Sequence, residues 1–289
     1  VVDLGETTTP LLTLAINDGV ASSYLHLQAD QFRKELKLYS SLDGRSASKE
    51  QWRSVLQQCL QPVDNSGNGR TMKLNLKAEY VERISLDVAM EDPMRIVIGC
   101  PDQLTLTLAN ESLAALGCDT EAVLTKGAKA ETNQLQVVID QVKASDANLG
   151  FLINASGDCL RVISDTGLSV RNDYILMLLS KDVLERHPGN EVLFGPSCTR
   201  NLPSFATRCG GSAKMVSASP HRLQSIMESN GAVLAGDTNG NFIIRDRWFD
   251  ASDAIYSACR LVEIISNDGG SLTTLTETLP HSVATEALN

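Results

Sequence analysis

The stretch MRIVIGCPDQLTLTLANESLAALG, residues 94–117, decides the fold. Residues 94–98 are apolar apart from Arg95, and a short apolar run of this kind predicts a buried strand. A polar loop follows, and apolar residues spaced three and four apart then predict a helix over residues 104–116, which Gly117 ends. A buried strand followed by a helix is the unit from which α/β proteins are built.

Working outward, the same strand and helix pattern occurs in two further places, so the sequence predicts three related α/β units. The first copy places a strand at residues 1–4 and a helix at 10–16, and the third places a strand at 191–194 and a helix at 202–208. Each unit ends in two strands joined by a turn, within residues 23–39, 149–163 and 232–245. Longer amphipathic helices are predicted at residues 49–60, 133–143, 174–187 and 252–265.

The composition excludes several classes of protein. The 289 residues are 43% hydrophobic and carry 35 acidic against 25 basic side chains, a net charge of −10 that argues against a nucleic-acid partner. No apolar run reaches the roughly 18 residues that a membrane span needs, and no signal peptide is expected. Seven widely spaced cysteines form no Cys-x-x-Cys pair, which favours buried thiols in a reducing cytoplasm over zinc ligands.

Three polar segments are candidate functional sites, because α/β proteins bind ligands beyond the ends of their strands. In the second unit, Asp158 follows the weak neutral ligands Asn154 and Ser156, and the alternative is a simple hairpin turn. In the third unit, residues 236–241 carry groups that suit sugar hydroxyls, but their Asn-Gly pair is also a strong hairpin signal. In the first unit, residues 25–31 contain Asp30 and no nucleophile, and a solvated loop is expected.

One long run points to a known family. The run from Gly236 through Arg247-Trp248-Phe249 to residues 253–261 resembles the third domain of the bacterial phosphomannomutase/phosphoglucomutase group, the α-D-phosphohexomutase family. Members interconvert hexose 1- and 6-phosphates. The resemblance extends to residues 79–90, 93–100, 148–150, 174–183, 188–189 and 198–200.

The resemblance implies repeated phosphohexomutase-type α/β domains with mixed sheets. Residues 1–72 would form part of the first domain and a linker, residues 73–170 the second domain, residues 171–279 the third, and residues 280–289 a tail that leads to a fourth. The chain opens with Val1-Val2-Asp3-Leu4 in place of Met, and we expect a fragment of something longer. By this alignment, half of the first domain and nearly all of the phosphate-binding fourth domain lie outside the sequence.

Departures from the family pattern fall on its functional loops. The metal loop Asp-Gly-Asp-Gly-Asp-Arg of the family becomes Asn154-Ala155-Ser156-Gly157-Asp158-Cys159, which implies weak or absent Mg²⁺ binding, and no cofactor is expected. Leu27 stands where the phosphoserine belongs, and Asp30 nearby could at most imitate some of its charge. The sugar loop keeps Gly236, Asp237 and Gly240, has Asn239 and loses its His to Asn241. A phosphate-facing Lys-Thr-Gly-His stretch becomes residues 217–220, Ser-Ala-Ser-Pro.

These losses predict a phosphomannomutase/phosphoglucomutase-like pseudoenzyme: a non-catalytic binding or regulatory homologue in carbohydrate metabolism. The alternative is a phosphohexomutase, an isomerase of the intramolecular phosphotransferase type, that works with substituted residues. A third hypothesis is a purely structural or interaction module. Expected partners are a phosphosugar, another protein or the flanking domains, with no nucleic acid and no membrane span, in the cytoplasm.

Overall fold

The computed structural model describes residues 1–30, 35–42, 45–46, 49–60, 69–127, 130–217 and 220–282. The described part of the chain forms a mixed α/β fold with four sheets, which confirms the predicted fold class. The first part contains, in order, β1 (Val2–Asp3), α1 (Thr9–Asn17), β2 (Tyr24–Asp30), β3 (Glu35–Leu42), β4 (Arg45–Ser46), α2 (Lys49–Cys59), β5 (Met72–Lys73) and α3 (Lys77–Asp87).

The second part is a five-stranded sheet in the order β10-β9-β8-β6-β7. Its elements are β6 (Arg95–Cys100), α4 (Gln103–Ala115), β7 (Asp119–Leu124), α5 (Glu131–Ser145), β8 (Leu149–Ile153), β9 (Leu160–Ser164) and β10 (Ser169–Val170). Strand β6 is central and parallel to both β7 and β8, while β8 and β9 form the predicted antiparallel hairpin. The side chain of Asp102 caps α4 by accepting a hydrogen bond from the backbone N–H of Thr105 at 2.9 Å, and Gly117 follows the helix with φ at 92°.

The third part repeats this arrangement in a four-stranded sheet of order β12-β11-β13-β14. Its elements are α6 (Asn172–Arg186), β11 (Glu191–Phe194), α7 (Leu202–Arg208), β12 (Ser212–Met215), α8 (Pro220–Asn230), β13 (Leu234–Gly236), β14 (Phe242–Ile244), α9 (Ala254–Asp268) and α10 (Leu272–Glu277). The largest apolar cluster runs through all three parts and includes nearly every turn of α6 and α9. Two smaller clusters lie under α5 and α8.

The prediction that the first strand of the chain corresponds to the central strands β6 and β11 of the other two units is wrong. In the second and third parts the central strand pairs with the hairpin, β6 with β8 and β11 with β13. By contrast, β5 is the one described strand that pairs with β1, and the hairpin β2-β3 with β4 forms a separate sheet. Because β1 precedes a helix and a hairpin just as β7 and β12 do, it corresponds to an edge strand. The described residues of the first part supply no strand at the central position.

Candidate functional site

The turn between β8 and β9 and the turn between β13 and β14 lie against each other. The backbone N–H of Leu160 donates to the carbonyl of Gly240 at 3.0 Å, and the Cys159 thiol donates to Asn241 Oδ1 at 3.1 Å. Gly240 has φ at 86°, and a Cβ there would lie 2.0 Å from the carbonyl oxygen of Leu160. Only glycine fits this position, so the close approach of the two turns depends on it.

Asn154 organises the first of these turns. Its amide Nδ2 donates to Asp158 Oδ1 at 2.6 Å and to Ser156 Oγ at 3.1 Å, while its Oδ1 accepts from the backbone N–H groups of Asp158 and Cys159. Ser156 Oγ also donates to Asp158 Oδ1, at 3.0 Å. The polar groups of residues 154–158 therefore satisfy one another, with a single carboxylate at their centre.

This donor set does not fit Mg²⁺. The ion requires a near-octahedral shell of oxygens that includes carboxylates, whereas this turn offers a single carboxylate, and its Oδ1 already accepts hydrogen bonds from Asn154 Nδ2 and Ser156 Oγ. Among the residues that the structure describes, no three His, Cys, Asp or Glu side chains are grouped so that they could hold a metal ion. Weak or absent Mg²⁺ binding stays a prediction for solution measurement.

The second turn is closed by Asp237. Its carboxylate accepts from the backbone N–H groups of Asn239 at 2.9 Å and Asn241 at 3.1 Å, and from Asn241 Nδ2 at 3.0 Å. Within the range from Gly236 to Asn241, Asn241 alone lines the neighbouring cavity. Asp237, Asn239 and Gly240 therefore build the hairpin, in agreement with the turn alternative, and Asn241 borders the cavity.

A cavity of about 190 Å³ lies beside Asp158 and Asn241. Helix α1 provides one wall through Thr9 and Thr13, and the sheet of β2 and β3 provides another through Tyr24 and Ser41. The third part contributes the segment 249–252, Ile243 of β14 and Gln224 of α8. The cavity is thus built by all three parts of the chain, although their side chains are far apart in sequence.

In this lining, Ser41 is buried without a hydrogen-bond partner and Asp250 has a shifted pKa. The Ser41 side chain is 4% exposed, and its Oγ has no hydrogen-bond partner. Asp250 forms an ion pair with Arg245, yet burial raises the pKa of its carboxyl above the usual value. Burial also raises the pKa of the Tyr24 phenol, and the nearby Asp158 carboxylate raises it further.

Residues 25–30, expected in a solvated loop although they also fall within the hairpin predicted at residues 23–39, belong to a regular strand. Leu27 lies opposite Leu38 on β3 and is 59% exposed, on the face of the hairpin turned away from the cavity. Asp30 ends β2, but its side chain lies outside the described residues, as do residues 31–34. The alternation of polar and apolar residues from Tyr24 to Gln28 is the strand signal that the loop interpretation overlooked.

Alternation places His26 on the same face of β2 as Tyr24. Burial lowers the pKa of His26 below its usual value, and the Asp158 carboxylate opposes that shift. The sequence interpretation expected a structural or surface role for His26, because nothing in its neighbourhood along the chain suggests a partner. Residues 218–219 of the altered phosphate-facing stretch lie outside the described residues, and Pro220 begins α8.

A buried carboxylate holds the segment 249–252 in place. Asp253 accepts hydrogen bonds from the Tyr80 hydroxyl at 2.8 Å, Trp248 Nε1 at 2.9 Å and the backbone N–H of Tyr256 at 3.0 Å. Burial raises its pKa to about 6, against the lowering effect of these donors. Just before it, the Ser252 hydroxyl donates to the carbonyl oxygen of Asp158 at 2.7 Å, which ties the third part to the first turn.

Comparison with known proteins gives consistent likenesses. Residues 171–283 match the family model for phosphoglucomutase/phosphomannomutase, alpha/beta/alpha domain III. A phosphomannomutase/phosphoglucomutase of Pseudomonas aeruginosa is 29% identical over all of this chain and 65% of its own length. A phosphoglucomutase of Neisseria meningitidis serogroup A is 28% identical with the same coverage. The chain thus spans about 65% of the length of these curated relatives.

Solved structures agree with this picture. A phosphoglucomutase/phosphomannomutase family protein from Burkholderia thailandensis has a TM-score of 0.89 and 26% identity, over 98% of this chain and 65% of that one. The parafusin phosphoglucomutase of Paramecium, in an open form, has a TM-score of 0.72 at 10% identity, over 94% of this chain and 60% of that one, which shows the fold alone. Residues 171–283 thus match domain III of the phosphoglucomutase/phosphomannomutase family, and the chain as a whole is similar in sequence and in fold to members of that family, the α-D-phosphohexomutases.

Proposed function

We propose that the chain is a non-catalytic member of its family that binds a sugar ligand in the cavity between its three parts. The observation that carries this proposal is the closed turn at residues 154–158, in which neutral donors surround one carboxylate. A turn of this kind cannot supply the cation that normally offsets charge in phosphoryl transfer. The binding surface beside it, with hydroxyl, amide and carboxylate groups, nevertheless remains.

The hydroxyl groups around the cavity support the absence of covalent chemistry. A nucleophilic hydroxyl needs an adjacent base to accept its proton. The hydroxyls of Thr13 and Ser252 instead donate to backbone carbonyl groups, and Ser41 Oγ has no partner. Leu27, at the position aligned with the phosphoserine, has no hydroxyl and lies on the opposite face of its strand.

A mutase assay tests the proposal. The chain is incubated with mannose 1-phosphate or glucose 1-phosphate, with glucose 1,6-bisphosphate as activator, in the presence and in the absence of Mg²⁺. We expect no turnover above that of a heat-inactivated sample. The alternative, a phosphohexomutase with substituted residues, requires Mg²⁺-dependent turnover that Asp158→Asn abolishes, and this result would overturn the proposal. A longer protein that contains this chain should be assayed in parallel, because the relatives are longer.

We further propose a cytoplasmic location and a regulatory role for the bound ligand. The six cysteines whose side chains are described are all free thiols, which suits a reducing compartment, and Cys59 lies outside that set. Among the described residues, no helix combines the length and the apolarity that crossing a bilayer requires. Fractionation of cells that produce the full-length protein tests the location, and recovery from the membrane fraction would contradict it.

A further inference from the structure

Asp253 is the point at which three elements of the fold meet. Its Oδ1 and Oδ2 accept from the Tyr80 hydroxyl of α3, at 2.9 Å and 2.8 Å, and Oδ2 also accepts from Trp248 Nε1 at 2.9 Å. Oδ1 accepts in addition from the backbone N–H of Tyr256, in the first turn of α9, at 3.0 Å. Asp253 is 4% exposed and Tyr80 is 0% exposed. A single buried carboxylate thus gathers donors from α3, from α9 and from the residue that precedes the segment 249–252.

We propose that Asp253 is a proton-sensitive latch on the wall of the cavity. When its carboxylate is ionised, it holds Tyr80 and Trp248 through the hydrogen bonds that they donate. When it takes up a proton, the bond to Tyr80 reverses and the segment 249–252 is held less tightly. The inference rests on the proposed function, because this segment lines the cavity that is proposed to bind a ligand, and it adds a regulation of that site.

The hydrogen-bonding capacity of the partners requires this reversal. A proton that the carboxylate takes up from solvent must itself be donated to an acceptor, and neither an indole N–H nor a backbone N–H can accept one. The Tyr80 hydroxyl oxygen, 2.8 Å from Oδ2, can accept it. Tyr80 at the same time loses the ionised acceptor of its own proton, to which all of its described hydrogen bonds go. The link between α3 and Asp253 becomes a neutral hydrogen bond, which is roughly half as strong as the charge-assisted bond that it replaces.

The segment 249–252 depends on this latch at both of its ends. Trp248 comes directly before it, and the Trp248 ring stacks on the Tyr256 ring with centroids 4.2 Å apart and meets the Tyr80 ring edge-on at 5.8 Å. Asp253 comes directly after it and caps α9 with the same carboxylate that binds Trp248 and Tyr80. A weaker bond between Asp253 and α3 therefore gives this wall of the cavity more freedom.

Asp253 titrates in a window in which the phenols and the thiol beside it stay neutral. The titratable and charged groups around it reach it directly or through the Tyr256 hydroxyl: Tyr80 and Asp87 of α3, and Tyr256, Cys259 and Arg260 of α9. Burial raises the pKa of Tyr80, Tyr256 and Cys259 above their usual values. From β14 and the turn after β8, backbone carbonyl groups accept from the N–H groups of residues 253 and 254. Burial raises the pKa of Asp253 itself to about 6, although its hydrogen-bond donors lower it.

The first test follows the Trp248 fluorescence of the full chain between about pH 4.5 and 8. Trp52→Phe provides the background, because the chain contains two tryptophans and this substitution leaves Trp248 alone. We expect a transition with a midpoint of about pH 6, since Trp248 Nε1 donates to the titrating group. Asp253→Asn should abolish it, and Tyr80→Phe should move it to higher pH, because a donor to the ionised form is lost. The matched control is Asp140→Asn on the exposed side of α5, which should leave the midpoint unchanged.

The second test measures the release of the segment by amide hydrogen exchange. After correction for intrinsic exchange rates, the N–H groups of residues 249–254 should exchange at least about tenfold faster at about pH 5 than at about pH 7.5. In Asp253→Asn they should exchange equally fast at both pH values. Global unfolding through Asp253 acts in the opposite direction, because its raised pKa stabilises the folded chain at low pH.

The outcomes separate the latch from the proposed function. A flat fluorescence curve, or a midpoint that Asp253→Asn leaves in place, would overturn the assignment of the titration to Asp253. A transition at Asp253 without faster exchange at low pH would overturn the release of the cavity wall. Where Asp253→Asn does not fold, Tyr80→Phe decides, and an unchanged midpoint overturns the latch. No sugar takes part in these measurements, so a failure of carbohydrate binding would overturn the proposed function and leave the latch standing.

Discussion

A buried arginine provides the sharpest test of how the fold is held together. Arg260 of α9 is 0% exposed, and its guanidinium donates to Asp246 at 3.0 Å, to Asp182 at 2.5 Å and to the Tyr256 hydroxyl at 3.0 Å. The Asp246 side chain is also 0% exposed, and Arg260 lowers its pKa against the effect of burial. We predict that Arg260→Met destabilises the chain strongly, since it leaves these acids without their shared cation.

The magnitude follows from the burial of the pair. Removal of one partner from a buried ion pair costs about 3–5 kcal/mol, because an uncompensated charge remains in a medium of low polarity. The packing loss is small, since methionine fills most of the volume of the arginine stem. Arg186 still contacts Asp246 from a side chain that is 33% exposed, so we expect the lower end of this range, about 3 kcal/mol.

Urea denaturation followed by tryptophan fluorescence measures this loss. Trp248 reports on the region because its ring stacks on Tyr256, with centroids 4.2 Å apart. The control is Arg95→Met, whose arginine is 50% exposed and pairs with Asp119 at 3.3 Å; a surface pair of this kind is worth about 0–1 kcal/mol. The reasoning is refuted if Arg260→Met costs no more than this control.

Three further predictions concern the site. Asp253→Asn should flatten the pH dependence of the free energy of unfolding. The pKa of Asp253 is about 6 in the folded chain against 3.8 for the free group, so this carboxyl favours the folded state at low pH. The wild type should therefore lose about 3 kcal/mol from this group as pH rises from below 4 through 6, and urea midpoints measured across that window check it. Gly240→Ala should lower the melting temperature more than Gly231→Ala. Both glycines have positive φ, but only at Gly240 would a Cβ meet the backbone of Leu160. Equal losses in the two variants would contradict this. Millimolar Mg²⁺ should leave the melting temperature unchanged, and a rise that disappears in Asp158→Asn would show that the 154–158 turn holds the ion.

Much of the fold was accessible from local patterns. The apolar run at residues 94–98 and the leucine spacing after it predicted β6 and α4 within a few residues of their observed bounds. The third unit, with strand Glu191–Phe194 and helix Leu202–Arg208, was predicted with its observed bounds. The family resemblance, carried by residues 236–261, is confirmed by the domain III match. Strands β7 and β12 were missed because both are largely exposed edge strands and lack the apolar run of a buried strand.

The sequence by itself determined the class of fold and the position of the two turns, because periodicity and turn chemistry act over a few neighbouring residues, and it carried the resemblance to the family. Only the tertiary structure decided which turn residues line the cavity. It turned Asp237 inward to close its own hairpin, placed Asp158 near His26 and left the Ser41 hydroxyl unpartnered beside the same cavity. The closure of the hairpin by Asp237 is local, but the other two relations join residues more than a hundred positions apart, and they depend on how sheets and helices pack, which no short-range pattern encodes.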